Sequence, residues 1–130
     1  MQINIRKARA DEHKILTEIS FASKRHWDYP EAFFDIWKDE LTITKEYIEK
    51  NMVYVVESSN TIVGYFSIVE VKEKFLAGKL LVTAGFWLEH IFIDPKHINK
   101  GIGTQMIAYI NNLCKEKSIR KLKILSDPNS

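Results

Sequence analysis

The amino-acid sequence predicts a single α/β domain in which a mixed, mainly antiparallel central sheet carries helices on both faces. The chain has 130 residues, which is within the usual size of one domain. Its middle is rich in strand patterns separated by short turns, and such turns favour antiparallel pairing. Its last part reads as strand, helix and strand, a unit that places its two strands parallel with a right-handed crossover.

The first part of the chain predicts one strand and two or three helices. Residues 2–7 alternate between apolar and polar side chains, which indicates a short strand. Asp11 is expected to cap the first helix, and Pro30 suits the first turn of a second one. Thr44 is expected to cap a short third helix that ends at Lys50.

The middle of the chain predicts three strands. The apolar run 52–57 is typical of a strand that is covered on both faces, and 62–71 is its hairpin partner. Gly64 inside the second strand indicates a bulge or a close approach by another backbone. Residues 72–79 are mostly polar and predict a loop, whereas 80–94 is long and strand-like.

The end of the chain predicts the last helix and strand. Asp94-Pro95 ends the long strand, and apolar residues then recur at helical spacing from about Gly101 to about Lys117. Residues 120–126 predict a final strand. This strand and the one before the helix are the parallel fourth and fifth strands of the expected sheet.

Charge and composition exclude several classes of partner. The formal net charge is +2, which is too small to indicate nucleic acid or an anionic membrane surface. No run of about 18 apolar residues is present, so no transmembrane helix is expected. The single cysteine, Cys114, cannot form an internal disulfide and fits a cytoplasmic location. The histidines have no spacing that indicates a metal site.

Two glycines stand at the junction between the long strand and the last helix. Gly101 and Gly103 would let a ligand approach the backbone closely, and the free amides at a helix start favour a phosphate. Lys100 would add a positive charge, and the Thr104 hydroxyl would add a donor. A purely structural turn is the alternative. The order Lys-Gly-Ile-Gly-Thr does not match a P-loop, and Met106 stands where a dinucleotide fingerprint needs a third glycine.

The succession of strand, Asp-Pro, short loop, Lys-Gly-Ile-Gly-Thr and amphipathic helix resembles the acetyl-CoA segment of the GNAT acetyltransferases. The family pattern is Gln/Arg-x-x-Gly-x-Gly/Ala. Gly101 and Gly103 match it, and Ile98 departs from it at the Gln/Arg position. The order of elements over residues 2–129 also resembles this family, so the likeness extends over almost the whole chain.

The resemblance implies acetyl-CoA as the co-substrate. In this family one strand pairs with the pantetheine amides, the glycine loop holds the pyrophosphate through backbone amides, and an asparagine lies near the pantetheine arm. The residues at these positions here are Ile91, Phe92, Ile93, Asn99, Lys100, Gly101, Ile102, Gly103, Thr104 and Asn129.

The resemblance also indicates where the acceptor would react. Glu89, at the start of the fourth strand, is the candidate base that removes a proton from an amine. A surface position or an ion pair with a lysine is the alternative. His90 is the reserve candidate and is expected on the opposite face of the strand. Trp27 and Tyr29 are expected to wall the acceptor pocket, unless they only pack the helices on the sheet.

The expected function is transfer of acetyl from acetyl-CoA to an amine of a small molecule or peptide, by direct attack in a ternary complex. The alternatives are a non-catalytic acyl-CoA-binding module and a purely structural domain. In the family, a tyrosine after the fifth strand protonates the leaving thiolate, and the sequence stops at Ser130 before that region. The single domain, 1–130, is therefore expected to be short at its C-terminus, with its exposed edge covered in a homodimer.

Overall fold

The computed structural model describes residues 2–26, 31–77, 80–98 and 100–124. Its helices are α1 (His13–His26), α2 (Glu31–Leu41), α3 (Lys45–Lys50) and α4 (Ile102–Glu116). Its strands are β1 (Asn4–Lys7), β2 (Met52–Ser58), β3 (Thr61–Val71), β4 (Phe75–Ala77), β5 (Leu80–Val82), β6 (Gly85–Ile93) and β7 (Leu122–Ile124). Short 3₁₀ turns, Ala10–Glu12 and Pro95–His97, precede α1 and follow β6.

The main sheet confirms the predicted fold class. Its strand order is β1-β2-β3-β6-β7. Every pair is antiparallel except β6 and β7, which are parallel and joined by the crossover helix α4. Helices cover both faces, as the sequence predicts for a mixed sheet of this kind.

Each face of the sheet has its own apolar core. The core on one side joins α1, α2 and α3 to alternate residues of the strands, and its buried members are Leu16, Ile19, Phe34, Leu41, Ile43, Ile48, Val53, Val55, Tyr65 and Phe92. The core on the other side joins α4 to the intervening strand residues, which are Tyr54, Val56, Val63, Phe66, Ile68 and Leu88. We call these sides the α1–α3 face and the α4 face.

The predicted loop over residues 72–79 is wrong in its second half. Phe75–Ala77 forms β4, which pairs antiparallel with β5 in a separate two-stranded sheet. The polar residues before β4 give the sequence the pattern of a loop. The three residues of β4 form a strand because they pair with the following segment. Leu76 and Phe75 of this hairpin are 70% and 50% exposed, whereas Val82 is buried.

The predictions for the helix starts have mixed outcomes. Thr44 caps α3 as predicted, since its hydroxyl oxygen accepts from the Tyr47 amide at 3.1 Å. Asp11 does not cap α1, because it lies inside the 3₁₀ turn that precedes the helix. The carboxylate of Glu12 has the capping role instead, and it accepts from the Arg9 amide at 2.8 Å. The Arg6 guanidinium also donates to Glu12, which lowers the pKa of that carboxyl.

Gly64 lies both at a bulge and at a close approach to another backbone. These are the two explanations that the sequence offers for a glycine inside this strand. The register between β2 and β3 shifts beside it. A Cβ at this position would be only 2.8 Å from the carbonyl oxygen of Phe92. The contact fixes β6 closely against β3, directly upstream of the glycine-bearing loop.

No helix within the described residues is long and apolar enough to cross a membrane.

Candidate active site

The centre of the site is a β-bulge in β6. Ser67 of β3 pairs with His90, and the next residue, Ile68, pairs with Leu88. Glu89 is therefore the extra residue, with no partner on β3. Leu88 and Ile91 both pack in the core of the α4 face, so the bulge shifts the alternation of side chains by one residue.

The bulge places Glu89 and His90 on the same face, so the prediction of opposite faces is wrong. His90 Nε2 lies 3.6 Å from Glu89 Oε1. Strict alternation holds only in a regular strand, and one inserted residue brings two consecutive side chains to one side. Both residues belong to the α1–α3 face, on which His90 packs against Tyr65 and Phe92.

Tyr47 of α3 contacts the Glu89 carboxylate directly. Its phenol donates a hydrogen bond to Glu89 Oε1, and its oxygen also lies 2.8 Å from Ser67 Oγ. Burial, together with the charge of Glu89, raises the pKa of Tyr47 well above its usual range. Tyr47 therefore stays protonated at neutral pH and remains a donor.

His90 lies deeper than Glu89. Its side chain is 4% exposed, compared with 29% for Glu89. Burial lowers the pKa of His90 to about 4, so the imidazole is neutral at pH 7. A neutral, buried imidazole is poorly placed to exchange protons with an incoming substrate. Glu89 is the member of the pair that solvent reaches.

The loop after β6 leads into α4 through a left-handed residue. Gly101 has φ of 78° and is the N-cap of α4. Ile102 is buried under the helix start, and Lys100 and Thr104 are exposed beside it. The first amides of a helix lack intrahelical acceptors, so this segment offers donors to an anion.

Gly103 faces β6 at the start of α4. A Cβ placed there would lie 3.6 Å from Ile93 Cδ1, which is an ordinary contact. The packing therefore leaves room for a methyl group at this position.

In the part of the chain that the structure describes, one edge of β6 has no strand beside it beyond the bulge, and we call this the open edge. The amide of Asp94 donates to the carbonyl of Val63, and the carbonyl of Phe92 also faces β3. Successive residues of a strand direct their backbone groups to opposite neighbours, so those of Ile91 and Ile93 point away from β3. Within the described residues, β7 accompanies β6 only from Phe86 to Leu88.

This arrangement fits an extended ligand that carries amide and phosphate groups. An added strand can pair with Ile91 and Ile93, and its phosphates can reach the amides of the α4 start. The Glu89 carboxylate lies at the bulge where the open edge begins. The prediction for Phe92 is thereby revised, because its backbone groups face β3.

The match to a family model decides the family of this chain. The model of the GNAT acetyltransferase family matches residues 18–130, which span most of the chain. The chain belongs to the GNAT acetyltransferase family.

Solved structures of GNAT proteins have the same fold. The PaiA N-acetyltransferase of Thermoplasma acidophilum, solved with coenzyme A, is 18% identical with a TM-score of 0.73, over 100% of this chain and 83% of that chain. An acetyltransferase of Clostridium acetobutylicum, solved with acetyl-CoA, is 20% identical with a TM-score of 0.60, over 98% and 82% of the two chains.

A ribosomal-protein-alanine N-acetyltransferase of Brucella melitensis is 14% identical with a TM-score of 0.63, over 98% of this GNAT chain and 82% of that chain. At such identities the likeness concerns the fold alone. No curated protein sequence gives a significant match to the chain.

The residues that the structure brings together in the GNAT site differ in part from those that the sequence predicts. The predicted residues Trp27, Tyr29, Asn99 and Asn129 lie outside the described residues. Tyr47 and Ser67 are in the site but were not predicted, since nothing in their spacing relates them to Glu89. The one available signal for Tyr47 is the Thr44 cap, which fixes the helix that carries it.

Proposed function

We propose that the protein transfers an acetyl group from acetyl-CoA to an amine of a small molecule or peptide, by direct attack within a ternary complex. The bulge in β6 is the observation that carries the proposal. It aims the Glu89 carboxylate out of the sheet at the point where the open edge of β6 begins. The Glu89 carboxylate is thus adjacent to the strand edge that would bind the acyl donor.

Acetyl-CoA would bind along the open edge and the start of α4. The backbone groups of Ile91 and Ile93 would pair with the pantetheine amides. The amides of residues 99–104 would hold the pyrophosphate, helped by the charge of Lys100 and the hydroxyl of Thr104. Asn129 would lie near the pantetheine arm, as the family resemblance implies.

Glu89 would act as the general base. It takes a proton from the attacking amine, directly or through a water molecule, while the nitrogen forms a bond to the acetyl carbonyl carbon. The carbon–sulfur bond then breaks and coenzyme A leaves as a thiolate, which takes up a proton. Trp27 and Tyr29 would wall the pocket for the acceptor.

Binding and turnover test this proposal separately. Calorimetry with acetyl-CoA is expected to show binding, and no heat at millimolar ligand would contradict the proposal. Release of free thiol across a panel of amines is expected for the wild type and to fall about 100-fold or more in Glu89→Gln. Glu70→Gln, an exposed change on the neighbouring strand β3, is the matched control.

Binding without turnover would favour the non-catalytic acyl-CoA-binding module. That reading predicts equal thiol release from the wild type and from Glu89→Gln with every amine. It also predicts that both proteins bind acetyl-CoA with the same affinity.

A homodimer and a cytoplasmic location belong to the same proposal. Ile124 on the edge strand β7 is 63% exposed, and an apolar edge strand is a common site of self-association. The single cysteine fits a reducing compartment. Light scattering at micromolar concentration is expected to give twice the chain mass, and a monomer would contradict the dimer.

A further inference from the structure

We propose that Tyr47 is a positioning residue for the reaction: its phenol, held by Ser67, fixes the Glu89 carboxylate in one orientation by donating a hydrogen bond to Oε1. The inference rests on the proposed function, in which Glu89 is the base. It adds a residue from α3, an element that carries none of the predicted site residues.

The directions of the two hydrogen bonds that link Ser67, Tyr47 and Glu89 follow from counting their donor protons. The Tyr47 phenol has one proton, and an ionised carboxylate can only accept, so the phenol donates to Glu89 Oε1. The Tyr47 oxygen, 2.8 Å from Ser67 Oγ, is then the acceptor for the serine hydroxyl. Ser67 is fully buried, so its hydroxyl has little access to solvent. Both hydrogen bonds therefore run from Ser67 to Tyr47 and from Tyr47 to Glu89.

Several contacts hold Tyr47 in place. The Thr44 cap bonds its amide, and the amide and side chain of Asn51 both donate to its carbonyl at 3.1 Å. The neighbouring Ile48 is buried in the core of the α1–α3 face. The backbone of Tyr47 is thus held from both ends of α3, whereas Glu89 is on a bulge with no partner on β3.

The same surroundings argue against a different role for Tyr47. A group that protonates a leaving thiolate should be an acid of ordinary or enhanced strength. Burial and the charge of Glu89 raise the pKa of Tyr47, which makes it a weaker acid. The Tyr47 proton therefore remains in the hydrogen bond to the Glu89 carboxylate.

The groups that titrate near Glu89 come from several elements. His90 is on β6, Tyr65 is on β3, and the charges of Lys24 on α1 and Glu40 on α2 act on His90. The effect of a Tyr47 variant must therefore be followed at Glu89 itself. The NMR signal of the Glu89 carboxyl carbon, recorded at one fixed pH, does so without any need for activity.

The first experiment compares Tyr47→Phe with Tyr65→Phe by carbon-detected NMR of glutamate carboxyl groups. Glu89→Gln identifies the Glu89 signal. Tyr65→Phe is the matched control, since it also loses a buried hydroxyl bond, to Ser20 at 2.5 Å, on the same face. At one fixed pH, loss of the donated hydrogen bond should move the Glu89 carboxyl signal in Tyr47→Phe and leave it in place in Tyr65→Phe.

The second experiment measures thiol release with an accepted amine at one fixed pH. In Tyr47→Phe we expect kcat to fall about tenfold and KM for acetyl-CoA to change less than about twofold, because the carboxylate loses its orientation while the acetyl-CoA site is intact. Equal changes in the two tyrosine variants would overturn the inference, as would an unmoved Glu89 signal in Tyr47→Phe.

A further variant keeps the test decisive if Tyr47→Phe fails to fold. Ser67→Ala retains both Tyr47 and Glu89 but removes the hydroxyl that supports the phenol. It should move the Glu89 carboxyl signal by a smaller amount than Tyr47→Phe does, and an unmoved signal would overturn the inference. Absence of acetyl-CoA binding in the wild type would instead overturn the proposed function and leave the NMR result standing.

Discussion

Gly64 on β3 and Phe92 on β6 approach so closely that a Cβ on the glycine would lie 2.8 Å from the phenylalanine carbonyl oxygen. The atom in the way belongs to the backbone, so it cannot rotate aside as the end of a side chain could. The contact also fixes which edge of β6 faces β3, and therefore which backbone groups point to the open edge.

Gly64→Ala should therefore destabilise the protein by about 1–3 kcal/mol, because the strands must separate to admit the methyl group. Urea denaturation of the variant and the wild type measures the difference. Acetyl-CoA affinity should fall as well, since movement of Phe92 disturbs Ile91 and Ile93. Unchanged stability would contradict the tight contact.

Alanine at the two loop glycines should have opposite effects. Gly101→Ala should cost about 1 kcal/mol, because φ of 78° is unfavourable for a residue with a Cβ. At Gly101 no heavy atom of the described residues lies within 4 Å of the added Cβ, so strain is the whole cost. Gly103→Ala lies in the first turn of α4 with room for a Cβ, and should stabilise by about 0.5 kcal/mol.

The same pair of variants also tests the anion site. Gly101→Ala should weaken acetyl-CoA binding in calorimetry, because a change in φ reorients the amides at the start of α4. Gly103→Ala, whose Cβ faces Ile93, should bind as the wild type does. If both variants bind equally well, the left-handed residue has no part in presenting the amides.

Acidification should destabilise the protein through His90. Its pKa is about 4 in the folded chain, compared with 6.5 for the ordinary side chain. Between these values the unfolded chain binds a proton that the folded chain excludes, so the free energy of unfolding falls as the pH falls through this window. The contribution is up to about 3 kcal/mol.

Urea denaturation at several pH values between 4 and 7 checks the prediction for His90. His90→Phe keeps an aromatic ring and should flatten the dependence, whereas His26→Gln, an exposed change, should leave the steep acidic limb in place. An equally steep limb in His90→Phe would show that other groups cause it.

Lys123 ties β7 to the segment that joins β5 and β6. Its ammonium donates to the Thr83 hydroxyl and, at 2.9 Å, to the Ala84 carbonyl, and it lies 5.3 Å from the centre of the Trp87 ring. Lys123→Met should cost about 1–2 kcal/mol through the loss of these contacts. Thermal unfolding measures it, with exposed Lys121→Met as the control, and equal melting temperatures would contradict the prediction.

The sequence predicts the fold well because its strongest signals are local. The hairpin of β2 and β3, the Thr44 cap and the helix after Gly101 each depend on a few neighbouring residues. β4 escapes prediction because a strand of three residues depends on its pairing with β5. Asp11 is mispredicted because Glu12, fastened to Arg6, is the better placed carboxylate.

The site is less predictable than the fold because its contacts are distant along the chain. Glu89 is identified through its position in the strand, whereas Tyr47 is 42 residues away and no pattern links the two. The orientation of His90 depends on the bulge in β6. Glu89 and His90 are adjacent polar residues between Leu88 and Ile91, and this departure from alternation is the one sequence signal of the bulge.

The bulge lets β6 pack against α4 and present a reactive carboxylate with different residues. Leu88 and Ile91 pack against α4, whereas the side chain of the inserted residue, Glu89, contacts Tyr47 on the α1–α3 face. The reactive carboxylate is therefore added to β6 without taking a place from the core of the α4 face. The same core can thus support a different chemistry at the inserted position, and the architecture of the sheet does not depend on the reaction.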